Sequence, residues 1–220
     1  MSATAKPAPA SEHQEQTALP TRELILLHAS RLFAARGFLG TSTRDIAAAV
    51  GIRQPSMYSH FPTKQAIAEE LLRRDLTAGI DALERFAAAD EPAAVQLYRY
   101  LLWEVNYVRT TLLDLRALYL GELLELPEFD EGRRLNGAYE GLLGNIVARG
   151  LAAGEFGGVD VAFAVRAIDA IVLEAIRGSA QHRPHRILDE PDMVAAFVVR
   201  SLLRDPAALD AIRAAAHIGA

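Results

Sequence analysis

Apolar residues recur along most of this chain at intervals of three and four, the spacing of amphipathic helices. Ile25, Ala29, Leu32 and Phe33 stand at i, i+4, i+7 and i+8. They predict a first helix that Thr21 caps, with Glu23 in its first turn and Gly37 at its end, and Phe38 clasps it from behind. Ile46 and Val50 give the inner face of a short helix capped by Thr43, with small Ala47 at the crossing point. Gly51 then suits a tight turn because it tolerates positive φ, and Ile52 fills the corner. Gln54 to Phe61 predicts two further turns of helix, with Pro55 in the first turn and Met57 and Phe61 facing inward. Beyond Pro62 the helical period continues: a long helix capped by Thr63 to about Ala88, one opened by Asp90-Glu-Pro to about Arg109, and a shorter one towards Leu126. The next runs from Pro127 to about Ala153, a turn spans Gly154 to Gly158, and Asp160 caps a helix to about Arg177. A polar loop from Gly178 to Pro191 precedes helices from Asp192 to Arg204 and from Asp205-Pro-Ala onward. No strand-type alternation or fixed-period repeat interrupts this, so the predicted fold is all-α.

Composition narrows the class. The 220 residues suffice for one large or two small domains, and 51% are hydrophobic. Cysteine is absent, which excludes disulfides and thiolate chemistry. No apolar run reaches the roughly 18 residues of a membrane span. Residues 1–20 lack a signal-peptide core and, rich in Ala, Pro, Glu and Gln without period, read as a disordered arm. A cytoplasmic protein without membrane contact is expected. The net charge of −5 argues against indiscriminate coating of nucleic acid. Its distribution is uneven: Arg22 to Lys64 hold six basic and two acidic residues, a balance of +4, which leaves −9 for the rest.

That basic segment carries the candidate chemistry. Two short helices joined at Gly51, followed by a third, form the helix-turn-helix pattern that sets one helix into the major groove. Arg53, Gln54, Ser56, Tyr58 and His60 fall on its N-terminal and outer surfaces, with Thr43, Arg44 and Pro55 beside them. These types make base-edge and phosphate hydrogen bonds. Gln54 and Arg53 are candidate base readers, Tyr58 and Lys64 candidate phosphate contacts, and His60 either contacts DNA or packs. Lys64 is unfavourable in the first turn of its own helix, which points it towards a phosphate. The competing account is an ordinary helical hairpin in another all-α protein.

At these residues the chain resembles the tetracycline-repressor (TetR) family of bacterial regulators. The likeness runs from Ile25 through Ala29, Phe33, Gly37, Thr43, Ile46-Ala47, Gly51-Ile52, Tyr58, His60-Phe61 and Lys64 to Leu71-Leu72, about 50 residues. One departure stands out: Arg53 occupies the position where the family often has a capping Ser or Thr. The resemblance implies a homodimeric, ligand-responsive repressor that binds a pseudo-palindromic DNA operator. It divides the chain into the arm at 1–20, a three-helix DNA-binding domain at 21–66, and a helical effector-binding and dimerisation domain at 67–220.

Within the body, Trp103, Asn106 and Tyr107 form a mixed aromatic and polar stripe beside an aliphatic one. That stripe either lines an effector pocket or packs with its polar tips in solvent. Tyr119, Glu122, Asn145 and Phe163 are further effector candidates. Val161 to Ile176 and Met193 to Leu203 are apolar nearly all round, so each is either a core helix or part of a dimeric bundle. Ala164, Ile168, Ile171, Met193 and Phe197 are the dimer candidates, while Arg166–Asp169 and Glu174–Arg177 read as intrahelical ion pairs.

The rival class is an all-α enzyme or small-molecule binder whose hairpin is only scaffold. His182 and His185, near Asp189 and Glu190, superficially suggest metal ligands but lie in a Pro-containing loop without further organised His. Glu122 and Glu125 lack an accompanying His or nucleophile. Gly137, Gly141 and Gly144 read as close helix packing rather than a phosphate loop. No enzyme, metal or cofactor is therefore expected.

Overall fold

The computed structural model describes residues 19–119, 123–180 and 190–218. Among them the regular structure is helical, apart from one isolated antiparallel bridge between Phe156 and Leu203. Most of the predicted arm, and His182, His185 and Glu122, lie outside the described residues.

Helix α1 spans Thr21–Arg36 and ends at Gly37, whose φ of 75° is one a side chain would resist. Thr21 does not cap it: Pro20 holds that position and Thr21 is the first helical residue. Helix α2 (Thr43–Val50) is likewise capped one residue earlier than expected. The Ser42 hydroxyl accepts from the Asp45 N–H at 3.1 Å while the Asp45 carboxylate accepts from the Ser42 N–H at 2.9 Å, a reciprocal capping box. Thr43 is thereby freed for other partners. Gly51 turns the chain at φ 79° into α3, Gln54–Tyr58.

Only five residues of α3 are helical, not two turns. Arg53 stands at its N-cap without a side-chain hydrogen bond, and Pro55 is in its first turn. At the far end the Ser59 hydroxyl donates to the Ser56 carbonyl at 2.7 Å and the His60 N–H donates to Met57 at 3.0 Å, which tightens the chain out of the helix. Pro62 disfavours helical geometry at Phe61. Met57 and Phe61 are buried in the core of the head, as their spacing predicts.

Helix α4 (Lys64–Ala87), capped by Thr63, runs without a break from this head into the body. It packs on α7 (Asp130–Ala152) and α5 (Ala93–Thr110). The N-terminus of α5 is capped from a distance, the Glu155 carboxylate accepting from the Ala93 and Ala94 N–H groups at 3.1 and 2.9 Å. The segment towards Leu126 is not one helix but α6 (Arg116–Tyr119) and short 3-10 turns at Leu123–Glu125 and Pro127–Phe129. Helices α8 (Val161–Ala180), α9 (Pro191–Leu202) and α10 (Leu209–His217) complete the body. Of the three glycines read as close packing, only Gly144 meets another helix, at Val161. The tight approaches lie elsewhere: at Gly150 an added Cβ would sit 2.2 Å from the Phe156 ring.

The core has two parts. One joins α5, α7, α8, α9 and the end of α4. The other begins in the head at Ile25, Phe33, Ile46, Met57 and Phe61, and continues down α4 to Leu76 and across to Phe129 and Val172. Head and body are therefore clamped together. Arg74 bridges Glu23 of α1 and Glu70 of α4, Arg22 and Arg73 also reach Glu70, and the Ser30 hydroxyl accepts from the Asp114 N–H at 3.0 Å. Three guanidinium groups outweigh burial and pull the Glu70 pKa down to about 2.

Candidate nucleic-acid interface and ligand cavity

The capped α2 and short α3 bring three predicted residues together. The Gln54 amide donates from Nε2 to Thr43 Oγ1 at 3.1 Å and to Tyr58 Oη at 3.3 Å, and the two hydroxyls lie 3.2 Å apart. With both amide protons engaged, the Gln54 carbonyl oxygen is left as an acceptor. Arg44, Arg53, Pro55, Ser56 and His60 are exposed, and Tyr58 is 46% exposed. The surface thus combines hydrogen-bonded hydroxyls and an amide with two exposed guanidinium groups, the mixture that phosphate and base edges accept.

Lys64 departs from its expected role. Its ammonium donates to the carbonyls of Phe38 at 2.6 Å and Thr41 at 2.8 Å and sits 4.2 Å from the centre of the Phe38 ring. It satisfies the turn between α1 and α2, carbonyl oxygens and a π face standing in for a counter-ion. Burial lowers its pKa.

A cavity of about 300 Å³ lies between α4, α5, α6, α7 and α8. Tyr107 and Tyr119, two of the effector candidates, line it. Among the described residues, the other effector candidates are not in its wall. Trp103 is stacked on Tyr107, ring centres 5.2 Å apart, Asn106 and Asn145 are exposed, and Phe163 is 66% exposed. The reason lies in the phase of α5: Glu104 and Tyr107, three residues apart, share the cavity face, and Asn106 is turned about 100° from Tyr107.

The residues that sequence reasoning missed are acids. Asp75, Glu104 and Asp169 all face the cavity. Asp75 accepts hydrogen bonds from Tyr119 and Tyr107, yet burial outweighs them and raises its pKa to about 6. Glu104 accepts from Tyr100 at 2.8 Å; burial, with Asp75 nearby, pushes it up to about 8. Asp169 rises to about 7 through burial and the neighbouring Glu140, and is turned into the cavity rather than paired with Arg166. The signal was present, since Asp75 and Asp169 interrupt apolar stripes where a leucine would serve. Glu174 and Arg177 do pair, at 3.6 Å.

The dimer candidates divide. Ala164 and Ile168 are buried in the core of the single chain, and Ile171 packs against that core. A helix apolar all round has spent one face on its own core, so Ala164 and Ile168 cannot also meet a partner. Met193 at 44% and Phe197 at 66% exposure do face outward, and Phe163 joins them from α8. No group of three or more His, Asp or Glu among the described residues is arranged to hold a metal ion. None of the described helices is long and apolar enough to cross a membrane.

Comparison with known proteins agrees with this geometry. Residues 25–71 match the family described as bacterial regulatory proteins, tetR family. The HTH-type transcriptional repressor KstR2 of Rhodococcus jostii is 40% identical over 67 residues, 30% of this chain and 32% of that one, so the match spans about a third of the relative. AmtR of Mycobacterium smegmatis superposes with a TM-score of 0.73 at 27% identity, covering 90% of this chain and 94% of that one. The ketosteroid transcriptional regulator KstR2 of Mycobacterium tuberculosis shares the fold, with a TM-score of 0.73 at 22% identity over 84% and 96% of the two chains. The helix-turn-helix head at residues 25–71 is thus similar to the tetR family of bacterial regulatory proteins, and the helical body behind it shares the fold of AmtR.

Proposed function

We propose that the chain is a repressor that binds a pseudo-palindromic duplex as a homodimer and is released when a small molecule enters the cavity. Residues 21–66 read DNA and 67–220 bind the effector and the second copy, a role exercised in the cytoplasm. The observation that carries this reading is the continuity of α4. Its first turn supports the DNA-facing head, and three turns later Asp75, Leu76 and Gly79 form the cavity wall. A ligand that favours one position of α4 therefore favours one spacing of two heads, and it shifts occupancy only by its differential affinity for the released form. Outward-facing Phe163, Met193 and Phe197 supply the apolar surface for a second copy.

Selection of bound duplexes from a random pool tests this, with wild type beside the Arg53→Ala, Tyr58→Ala double variant. A two-fold symmetric motif enriched by wild type alone is expected, with half-sites about one helical turn apart. No enrichment at low salt by folded protein would overturn the reading.

A further inference from the structure

The cavity has a one-sided charge inventory. Asp75 from α4, Glu104 from α5 and Asp169 from α8 present carboxyl groups to it, and no Lys or Arg lines it among the described residues. Hydroxyls of Tyr107 and Tyr119 partner Asp75, and Tyr100 partners Glu104. Asp169 has no such partner among the described residues and looks into the empty space. A buried carboxylate without a counter-charge is disfavoured, so burial shifts all three acids towards the neutral form, Glu104 most, and a cation would find carboxyl groups short of a partner. Tyr107, Tyr119 and Tyr139 stand around them, and the remaining wall is largely aliphatic.

We propose that the cavity takes a lipophilic organic cation, a protonated amine seated among Asp75, Glu104 and Asp169 with its apolar body against the tyrosines. This names the ligand class of the effector site and rests on that reading of the cavity. Desolvated ammonium gains from both carboxylates and aromatic rings. At about 300 Å³ the space suits a body of one or two rings. An anionic ligand would meet five acids, Glu125 and Glu140 included, with no basic residue among the described lining to answer it. A neutral ligand would use the hydroxyls and protonated acids alone. Entry of the cation favours the ionised form of the acids beside it, and any proton it displaces leaves to solvent.

Titration calorimetry of the full chain near neutral pH, with naphthylmethylammonium, naphthylmethanol and naphthoate, separates charge from shape. The cation is expected to bind at least about tenfold more tightly than the alcohol, and naphthoate not measurably. Glu104→Gln and Asp169→Asn, made singly, match the protonated acids in shape. Each should weaken the cation about tenfold and leave the alcohol nearly unchanged, which also reports an intact cavity. Naphthoate binding as tightly as the cation, or a cation indifferent to both amides, would overturn the proposal. The duplex selection above is read separately. An operator-binding chain that ignores the cation keeps the regulator reading and loses this one. A bound cation that leaves the duplex complex intact keeps the ligand class and removes its effector role.

Discussion

Lys64 and Gln54 show how much a single side chain's partners decide. The Lys64 ammonium holds two carbonyls of the Phe38–Thr41 turn, and that turn positions α2. Hydrogen bonds from a charged group contribute roughly 1.5–3 kcal/mol each, so Lys64→Ala should lower unfolding free energy by about that much. Operator affinity would fall through the loosened head, while the slope of affinity against salt stays as in wild type. A slope reduced by about one unit would mean that the ammonium leaves its carbonyls for a phosphate. Gln54 makes the opposite prediction. Its remaining acceptor oxygen suits a base-edge amino group, so Gln54→Ala should relax choice at one base pair per half-site by about 1–3 kcal/mol. Selection with the variant checks this, and an unaltered motif would remove Gln54 as a reader. The segment holding both residues was legible because each apolar, glycine and aromatic position is fixed by a local rule. The inward turn of Lys64 was not, since it depends on carbonyls 23 and 26 residues away in the chain.

At the scale of elements, helix existence followed from period, and errors gathered where the chain had an equally good local alternative. Ser42 displaced Thr43 as a cap because Asp45 lies three residues on and completes a box. The stretch before Leu126 starts late because the Thr111–Asp114 corner, where the Leu113 N–H donates to the Thr111 hydroxyl, interrupts it. Which face of α8 was core and which was free could not be read from a helix apolar on every side. The structure separates them, and the two faces predict different failures. Phe163→Glu or Phe197→Glu should leave a folded chain that sediments as a monomer and loses about a hundredfold or more in operator affinity, as the two-headed grip is lost. Ile168→Glu should instead unfold the chain, because it places a charge at a 2%-exposed core position. An intact dimer from both phenylalanine variants would place the second copy on another surface.

At the scale of the whole molecule, the cavity acids couple stability to pH. Asp75, Asp169 and Glu104 titrate near 6, 7 and 8 in the folded chain, above their ordinary values. The groups facing them are the hydroxyls of Tyr100, Tyr107, Tyr119 and Tyr139, whose own pKa values are raised, and the carboxyls of Glu125 and Glu140. None of these is cationic. With folded values raised, the native state binds more protons than the unfolded one. Its stability from these groups is present at low pH and lost as pH rises through them. Glu23, Glu70, Asp45 and Asp192 have lowered values and act in the other direction, but only in the acid range. His28, lowered chiefly by burial, opposes the trend below its ordinary value of 6.5. The clean window therefore runs from about pH 6.5 to about 8, where Asp169 and Glu104 dominate. A group that titrates fully is worth up to about 1.4 kcal/mol per pH unit, roughly 3 °C at this chain length. The unliganded chain should melt several degrees lower at the upper end of that window. The double variant Glu104→Gln, Asp169→Asn should flatten the dependence, and saturating naphthylmethylammonium should flatten or reverse it in wild type. A melting temperature that rises with pH in the unliganded chain would mean the acids are already ionised and answered by a charge elsewhere. Because α4 carries Asp75 at the cavity and the head at its start, the same protons would then bear on DNA release. Operator affinity measured across this window, with and without the cation, joins the two ends of that helix in one experiment.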